Sequence, residues 1–293
     1  SALATVVRLV RPQERCQMDM MDAQILSTPD TQGMSSQDAE QASVVSSARE
    51  DRLSLPDLMN AAQKWTQLGR QEAVLQLYQT WYDHTTSPHR HIALFNWGTL
   101  LSSLGRSQEA IKIYETALTL KSDFIQARVN LGHQQEATGQ PEAALACWRE
   151  ALALLDAQNP TDESLRQHTL NNLARALETL KRYDESEAYM VRSLELDPAQ
   201  PKVIQHYVHI RQKQCEWPVY QPVGKVTTNQ LLMSTSPLAM LSASDDPAMQ
   251  LLSSRTFVHD RVKPLSPTPL AFPVRQRPGP LRIAYVSGDL CLH

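Results

Sequence analysis

The sequence predicts a mainly α-helical fold in which helix pairs stack into a right-handed superhelix. Its main signal is a set of small and large residues that recurs at an interval of 34 residues. The recurring positions are Gly98, Gly105, Ala110, Tyr114 and Ala117 in one copy, and Gly132, Gly139, Ala144, Trp148 and Ala151 in the next. A single helix pair of this kind cannot cover its apolar side, so neighbouring pairs must stack and form a curved surface with a concave groove.

The interval and the residue types together are typical of tetratricopeptide repeats. A third copy is offset by 42 residues instead of 34, because eight residues, Asp156 to Glu163, have been inserted. It carries Ala174, Lys181, Ser186, Met190, Ser193 and Pro198, and a degenerate earlier copy carries Ala61, Leu68, Ala73 and Leu77. The predicted repeat domain spans residues 54–214, with repeats at about 54–87, 91–124, 125–166 and 167–200 and a final helix at 201–214.

Each repeat is predicted to be an antiparallel pair of helices. In the clearest copy the first helix covers about His91 to Leu104 and the second covers Ser107 to Leu120, since apolar residues recur there at helical spacing. Gly105 stands where a helix end favours a left-handed residue. Pro141 falls in the first turn of a second helix, where its missing N–H costs nothing.

A less expected recurrence places an asparagine at the sixth position of three first helices. Asn96, Asn130 and Asn172 keep the offsets of the repeats themselves. A carboxamide offers both a donor and an acceptor, which match the two polar groups of an extended peptide backbone. With helices about 8–10 Å apart and a strand rising about 3.3 Å per residue, the three amides would meet a bound peptide near every third residue. The alternative is that this position is a polar, solvent-facing site that tolerates asparagine.

Repeats with an asparagine ladder resemble those of the protein O-linked N-acetylglucosamine transferases, in which the ladder holds substrate polypeptide. Two further stretches resemble the same family: Cys215-Glu216-Trp217 after the last repeat helix, and Leu281 to His293, which resembles the opening of the catalytic region. Between them, Ser236-Pro237-Leu238-Ala239 and Asp245-Asp246-Pro247-Ala248 resemble the bacterial branch of the family.

The resemblance implies a glycosyltransferase that moves N-acetylglucosamine from a UDP-sugar to Ser or Thr of proteins. It places His293 on the family's active-site histidine, and residues 281–293 on the first strand and loop of a Rossmann-like lobe. The rest of that catalytic region is not in these 293 residues, and no glycine-rich phosphate loop occurs in them. We therefore expect an amino-terminal fragment that by itself transfers no sugar and holds no cofactor.

Two other interpretations stay open. The chain is a non-enzymatic adaptor that binds a partner polypeptide in the same groove, or a superhelix that serves only oligomerisation. The third interpretation requires a large apolar surface on the outside or at an end.

The flanking segments differ in composition from the repeats. Residues 1–53 are predicted to be mostly disordered, with a short helix at about 37–52, because the segment is rich in Gln, Ser and Asp. Residues 215–280 form a Pro-rich connection in which short helices are predicted at 229–233 and 247–261.

Composition bounds the partners and the compartment. A net charge of −3 gives no reason to expect nucleic acid or an anionic membrane, and no apolar run is long enough to span a bilayer. Four cysteines without metal-ligand spacing indicate a reducing, cytoplasmic environment. His84, His89 and His91 match no zinc framework, so a polar loop and no metal site are predicted there.

Overall fold

The computed structural model describes residues 36–157 and 162–261, which form thirteen helices and, within those ranges, no strand. The helices are α1 (Ser36–Arg49), α2 (Leu55–Gln67), α3 (Gln71–His84), α4 (Arg90–Ser103), α5 (Ser107–Leu120), α6 (Ile125–Ala137), α7 (Pro141–Ala157), α8 (Glu163–Thr179), α9 (Tyr183–Leu196), α10 (Pro201–Lys213), α11 (Thr228–Ser234), α12 (Pro237–Ala243) and α13 (Pro247–Arg261).

The middle of the chain consists of helix pairs that pack on one another in chain order. Within a pair, α4 packs on α5, α6 on α7, and α8 on α9; between pairs, α3 packs on α4, α5 on α6, and α7 on α8. The buried clusters run across these boundaries, so each pair shares its core with the next. The two helices predicted for the clearest copy are present: α4 begins and ends one residue early, and α5 has the predicted bounds.

The turns inside the pairs use a left-handed residue, as predicted for Gly105, whose φ is +74°. The N–H groups of Gly105 and Arg106 bond back to Ser102 and Leu101 carbonyls at 3.1 and 2.9 Å and so satisfy the end of α4. In the fourth pair Lys181 takes this conformation with φ +61°, at a position where an L side chain is less favoured.

The recurring glycines allow an aromatic ring of the second helix to touch the backbone of the first. A Cβ atom on Gly98 would lie 2.7 Å from the Tyr114 ring, and one on Gly132 would lie 2.5 Å from Nε1 of Trp148. Trp148 is fully buried and donates from Nε1 to the Val129 carbonyl at 3.1 Å. The third copy keeps the sixteen-residue spacing with a different pair, Ala174 and Met190. These contacts are the physical reason for the period in the sequence.

The eight inserted residues lengthen two helices. α7 and α8 each have 17 residues, whereas α4 and α5 have 14. α8 begins after Asp162, whose carboxylate accepts from the Leu165 N–H at 2.9 Å. Residues 158–161, which include the predicted break at Asn159-Pro160, lie outside the described residues.

At the amino-terminal end, the helix predicted at about 37–52 is α1, and it packs against α3 with Ala48 fully buried. Part of the segment that was predicted to be mostly disordered is therefore helical and joined to the first pair. Trp65 and Trp81, which the repeat pattern does not explain, are 4% and 1% exposed in that pair. Nε1 of Trp81 donates to the Leu53 carbonyl at 2.8 Å and ties the α1–α2 connection to α3.

At the carboxyl-terminal end, α11 packs on α10, and α13 packs on α11 and α12. Both predicted helices are present as α11 and α13, but α12 was missed although Ser236 and Pro237 are a start signal: the Ser236 hydroxyl accepts from the Ala239 N–H at 3.3 Å. Residues 262–293, and with them the predicted strand at 281–293, lie outside the described residues.

Candidate functional site

The candidate site is the surface on which the first helices of successive pairs, α2, α4, α6, α8 and α10, are joined by polar side chains. We call this surface the first-helix groove. Its inter-helix contacts are Asn96 Nδ2 to Met59 Sδ at 3.2 Å, Gln134 Nε2 to Ser102 Oγ at 2.7 Å, His133 to His168 at 3.1 Å, Arg175 to Glu136 at 2.5 and 2.8 Å, and His206 Nδ1 to Glu178 at 2.9 Å. Every step from one first helix to the next has at least one such contact.

The three asparagines singled out by the sequence lie on this surface, but more deeply than a solvent-facing ladder would. Asn130 and Asn172 are 5% and 7% exposed, and Asn96 is half-buried. Asn96 Nδ2 donates to the Ile92 carbonyl at 2.9 Å. The partners of the other two are single side chains: Asn130 Nδ2 donates to the Tyr114 hydroxyl at 3.3 Å, and Asn172 Nδ2 lies 3.3 Å from Nε2 of His133.

Each carboxamide thus uses one of its two polar atoms inside the molecule. Across the described part of the chain, the amide oxygens of Asn96, Asn130 and Asn172 make no hydrogen bond. Since a carboxamide carries one acceptor and one donor group, the acceptor of each of the three is unused by the fold. The structure therefore places the three asparagines on one surface. In each of them the amide N–H group is hydrogen-bonded within the protein and the amide oxygen is not.

Histidines and ion pairs occupy the carboxyl-terminal half of the groove. Burial lowers the pKa of His133 to about 3, helped by the neighbouring His168 and by the charge of Arg175. Burial also lowers the pKa of His168. In contrast, the hydrogen bond that His206 donates to the Glu178 carboxylate raises the pKa of His206. At pH 7 the His133–His168 pair is consequently neutral; the Arg175–Glu136 ion pair joins the same two helices, and the His206–Glu178 contact joins α10 to α8.

The C-terminal helices border the end of the groove at α10. A cavity of about 460 Å³ lies between the α10 face, with His206 and His209, and α12, with Leu238. A second cavity of about 690 Å³ lies between the beginning of α10 and the segment Met233–Ser236. Gln212 Nε2 donates to the Ala239 carbonyl at 2.9 Å and holds α12 beside α10.

A set of large apolar residues on α12 and α13 is exposed. It consists of Leu238 (79%), Leu241 (61%), Leu251 (52%), Leu252 (42%), Phe257 (39%) and Val258 (53%). The oligomerisation interpretation requires a large apolar surface on the outside or at an end, and these exposed residues are where the described helices would provide one.

The remaining sequence-predicted features are placed as follows. In the described ranges no three residues of the types His, Cys, Asp and Glu converge as metal ligands. Cys147 and Cys215 are free thiols. Among the described helices none is long and apolar enough to cross a bilayer. The predicted catalytic His293 lies outside the described residues.

The groove residues that sequence reasoning missed are those that join the helices. These residues do not recur at one position of every repeat, because each of them joins only one pair of neighbouring first helices, α6 and α8. They are His133, His168, Arg175 and Glu136. Their partners are 35 to 39 residues apart, close to one repeat length. A search for complementary side chains at that separation would have found the ion pair.

The family model described as "Tetratricopeptide repeat" matches residues 92–124 and 167–200. The chain contains tetratricopeptide repeats. The matched ranges agree with the repeats predicted at 91–124 and 167–200, and α4–α5 and α8–α9 form their helix pairs.

Solved structures of other tetratricopeptide proteins share this fold. YrrB, described as "a TPR protein with an unusual peptide-binding site", is 15% identical with a TM-score of 0.50, over 73% of this chain and 99% of its own. A tetratricopeptide repeat protein from Parabacteroides merdae ATCC 43184 is 16% identical with a TM-score of 0.50, over 71% of this chain and 80% of its own. No curated protein sequence matches the chain. Nothing in these comparisons points specifically to protein O-linked N-acetylglucosamine transferases.

The two kinds of histidine in the groove should titrate in opposite directions. We expect the His206 ring to protonate above pH 6.5 and His133 to stay neutral down to about pH 4, since their pKa values are raised by Glu178 and lowered to about 3 by burial. A base with a lowered folded-state pKa binds its proton first in the unfolded chain, so His133 makes folding less favourable as the pH falls from 6.5 towards 3. The His206–Glu178 pair acts oppositely: its contribution is full below pH 6.5 and is lost as the pH rises through the folded-state pKa of His206.

Imidazole proton shifts measured by NMR from pH 8 to pH 4, with His206→Gln and His133→Gln used for assignment, check this. Overlapping titrations of His133 and His206 near pH 6.5 would contradict the described burial and ion pairing.

Proposed function

We propose that the first-helix groove binds a segment of partner polypeptide in an extended conformation, and that the chain is a protein-interaction module. The observation that carries the proposal is the unused acceptor on each of three in-register carboxamides, Asn96, Asn130 and Asn172. Three acceptors along one surface suit the N–H groups of an extended main chain in the polyproline II conformation, in which every third residue faces the same side. Such binding reads the backbone more than the side chains of the partner.

Spacing and stiffness support this proposal. Neighbouring first helices place successive asparagines one repeat apart, about 8–10 Å, which is close to three residues of extended chain. The inter-helix contacts of the groove, from Asn96–Met59 to His206–Glu178, hold these helices in fixed register. A surface that is already ordered loses little entropy when it binds a flexible peptide.

The solved relative YrrB is described as having a peptide-binding site. That description applies to YrrB, which is similar to this chain in fold. Because of this similarity, polypeptide is the first class of ligand to test here.

The test uses a random library of 12-residue peptides displayed on phage and selected on the immobilised 293-residue chain. A selected synthetic peptide is then titrated into ¹⁵N-labelled protein. We expect the largest amide shift changes in α4, α6 and α8, with little change in α5, α7 and α9. Shift changes confined to the second helices, or to the apolar surface of α12 and α13, would overturn the assignment of the groove.

The second candidate function is that of a protein O-glycosyltransferase whose repeats present polypeptide to a catalytic region. It is favoured by the sequence from Leu281 to His293 and by Cys215-Glu216-Trp217, which resemble that family. UDP-N-acetylglucosamine would then be the donor and His293 would lie beside the acceptor hydroxyl. The reading frame beyond codon 293 tests it: a continuation that encodes the rest of the catalytic region favours the transferase, and a stop codon favours the adaptor.

A further inference from the structure

The middle of the first-helix groove holds three polar groups, two imidazoles and one carboxamide, within hydrogen-bond distance of one ring nitrogen. Nε2 of His133 lies 3.1 Å from Nε2 of His168 and 3.3 Å from the amide of Asn172. A ring nitrogen of a neutral imidazole carries either one N–H or one lone pair. His133 can therefore form a well-aligned hydrogen bond with only one of its two neighbours, and the other contact is left without one.

A metal cation is the partner that would engage all three groups at once. Imidazole nitrogens bind Zn²⁺ at about 2.0–2.1 Å, which places two ligand nitrogens of a tetrahedral site about 3.3–3.4 Å apart. The 3.3 Å between His133 and the Asn172 amide matches this separation, and the two imidazole nitrogens, 3.1 Å apart, need to move apart by only about 0.2 Å. The Asn172 amide has nearly the same shape with its O and N exchanged, so its oxygen can take the position that faces His133.

We propose that His133, His168 and Asn172 form a binding site for a divalent transition-metal ion of the zinc class, with Nε2, Nε2 and Oδ1 as ligands. Imidazole donors select Zn²⁺, Cu²⁺ or Ni²⁺ over Mg²⁺ and Ca²⁺, which prefer oxygen. Three protein ligands leave the fourth position of a tetrahedral site to water.

The surroundings of the site are compatible with a cation. The His133 ring is held edge-on to the Trp148 ring, with centroids 5.4 Å apart, so its direction is fixed. Both histidines are half-buried, which leaves a path from solvent. The positive charge of Arg175 acts on both histidines, but its guanidinium is bonded at 2.5 and 2.8 Å to the carboxylate of Glu136, which offsets its repulsion of a cation.

A metal at this position would also link α6 to α8. The His133 ligand belongs to one repeat and His168 and Asn172 belong to the next. Binding would then stabilise the fold in proportion to free metal. The metal ion would also occupy Oδ1 of Asn172, the acceptor that the polypeptide proposal assigns to a peptide N–H. The metal ion and the peptide should therefore compete for Asn172.

The experiment titrates ZnCl₂ into the untagged 293-residue chain by calorimetry, and CoCl₂ for its visible absorption bands. We expect one equivalent of Zn²⁺ to bind and MgCl₂ not to bind. His168→Phe, which keeps a ring of similar size, should weaken Zn²⁺ binding at least about tenfold. Asn172→Asp should tighten it by adding a negative ligand. The matched control replaces the loop histidines, His84→Ala with His89→Ala, and should leave binding unchanged.

The proposal is overturned if Zn²⁺ shows no saturable binding, or if the loop double variant loses binding while His168→Phe keeps it. Circular dichroism of each variant verifies that the helices are formed, and Asn172→Asp provides a change of opposite sign that misfolding cannot imitate. These titrations contain no peptide, so their failure would leave the polypeptide proposal standing, and the reverse also holds.

Discussion

Replacing Gly132 by alanine lowers the free energy of unfolding by about 2 kcal/mol, as expected for overpacking of a closed core. The added Cβ would lie 2.5 Å from Nε1 and 2.8 Å from Cε2 of Trp148, a side chain with no exposed surface. The indole must shift, and its hydrogen bond to the Val129 carbonyl lengthens or breaks. Alanine's better helix propensity, about 1 kcal/mol, recovers only part of this loss. Urea unfolding followed by circular dichroism measures the change.

The same substitution should change sign when the indole is absent. In a Trp148→Met background we expect Gly132→Ala to be neutral or stabilising by up to about 1 kcal/mol, because Ala174 and Met190 already occupy the corresponding positions in a neighbouring repeat. Methionine is unbranched and fills irregular space that a rigid ring cannot. An equal loss of stability in both backgrounds would show that the Gly132–Trp148 contact is not what requires glycine.

Replacing Asn96, Asn130 and Asn172 together by alanine should weaken the binding of a selected peptide more than tenfold. Three hydrogen bonds at about 0.5–1.5 kcal/mol each would be lost, and every 1.4 kcal/mol is a factor of ten in Kd. Fluorescence anisotropy with a labelled peptide measures the change.

The triple variant should also be somewhat less stable than the parent chain. The Tyr114 hydroxyl loses Asn130 and keeps Thr99 at 3.2 Å, while His133 loses one of its two neighbours. Binding must therefore be measured well below the melting temperature of the variant.

The matched control removes three carboxamides from the second helices: Gln71→Ala, Gln79→Ala and Gln108→Ala, all exposed on α3 and α5. It deletes the same chemical group away from the groove, so peptide affinity should not change. If the control weakens binding as much as the groove variant does, the carboxamides of the groove have no special role.

The repeat architecture was predictable because the same contacts recur at a fixed interval. Gly98 with Tyr114, and Gly132 with Trp148, leave a spacing in the sequence that only a stacked helix pair explains. The helix ends were predictable for a similar reason, since Gly105 and Pro141 each satisfy a local backbone requirement.

The chemistry of the groove was only partly predictable. The register of Asn96, Asn130 and Asn172 is visible in the sequence, but their burial is not, because it depends on Tyr114 and His133 reaching across from other helices. Non-repeating elements were harder still. The weakly amphipathic α1 is held in place by packing on α3. The seven-residue α12 is held by a hydrogen bond from Gln212. Neither interaction is encoded in a local sequence pattern.

A crystal structure of the chain with a selected peptide tests the central claim most directly. The decisive quantity is the distance from Oδ1 of Asn96, Asn130 and Asn172 to the nearest main-chain nitrogen of the peptide. We predict about 2.8–3.2 Å at two or more of the three, with the contacted peptide residues about three apart. A peptide seated on the second helices or on α12 and α13, with all three amide oxygens unbound, would contradict the account.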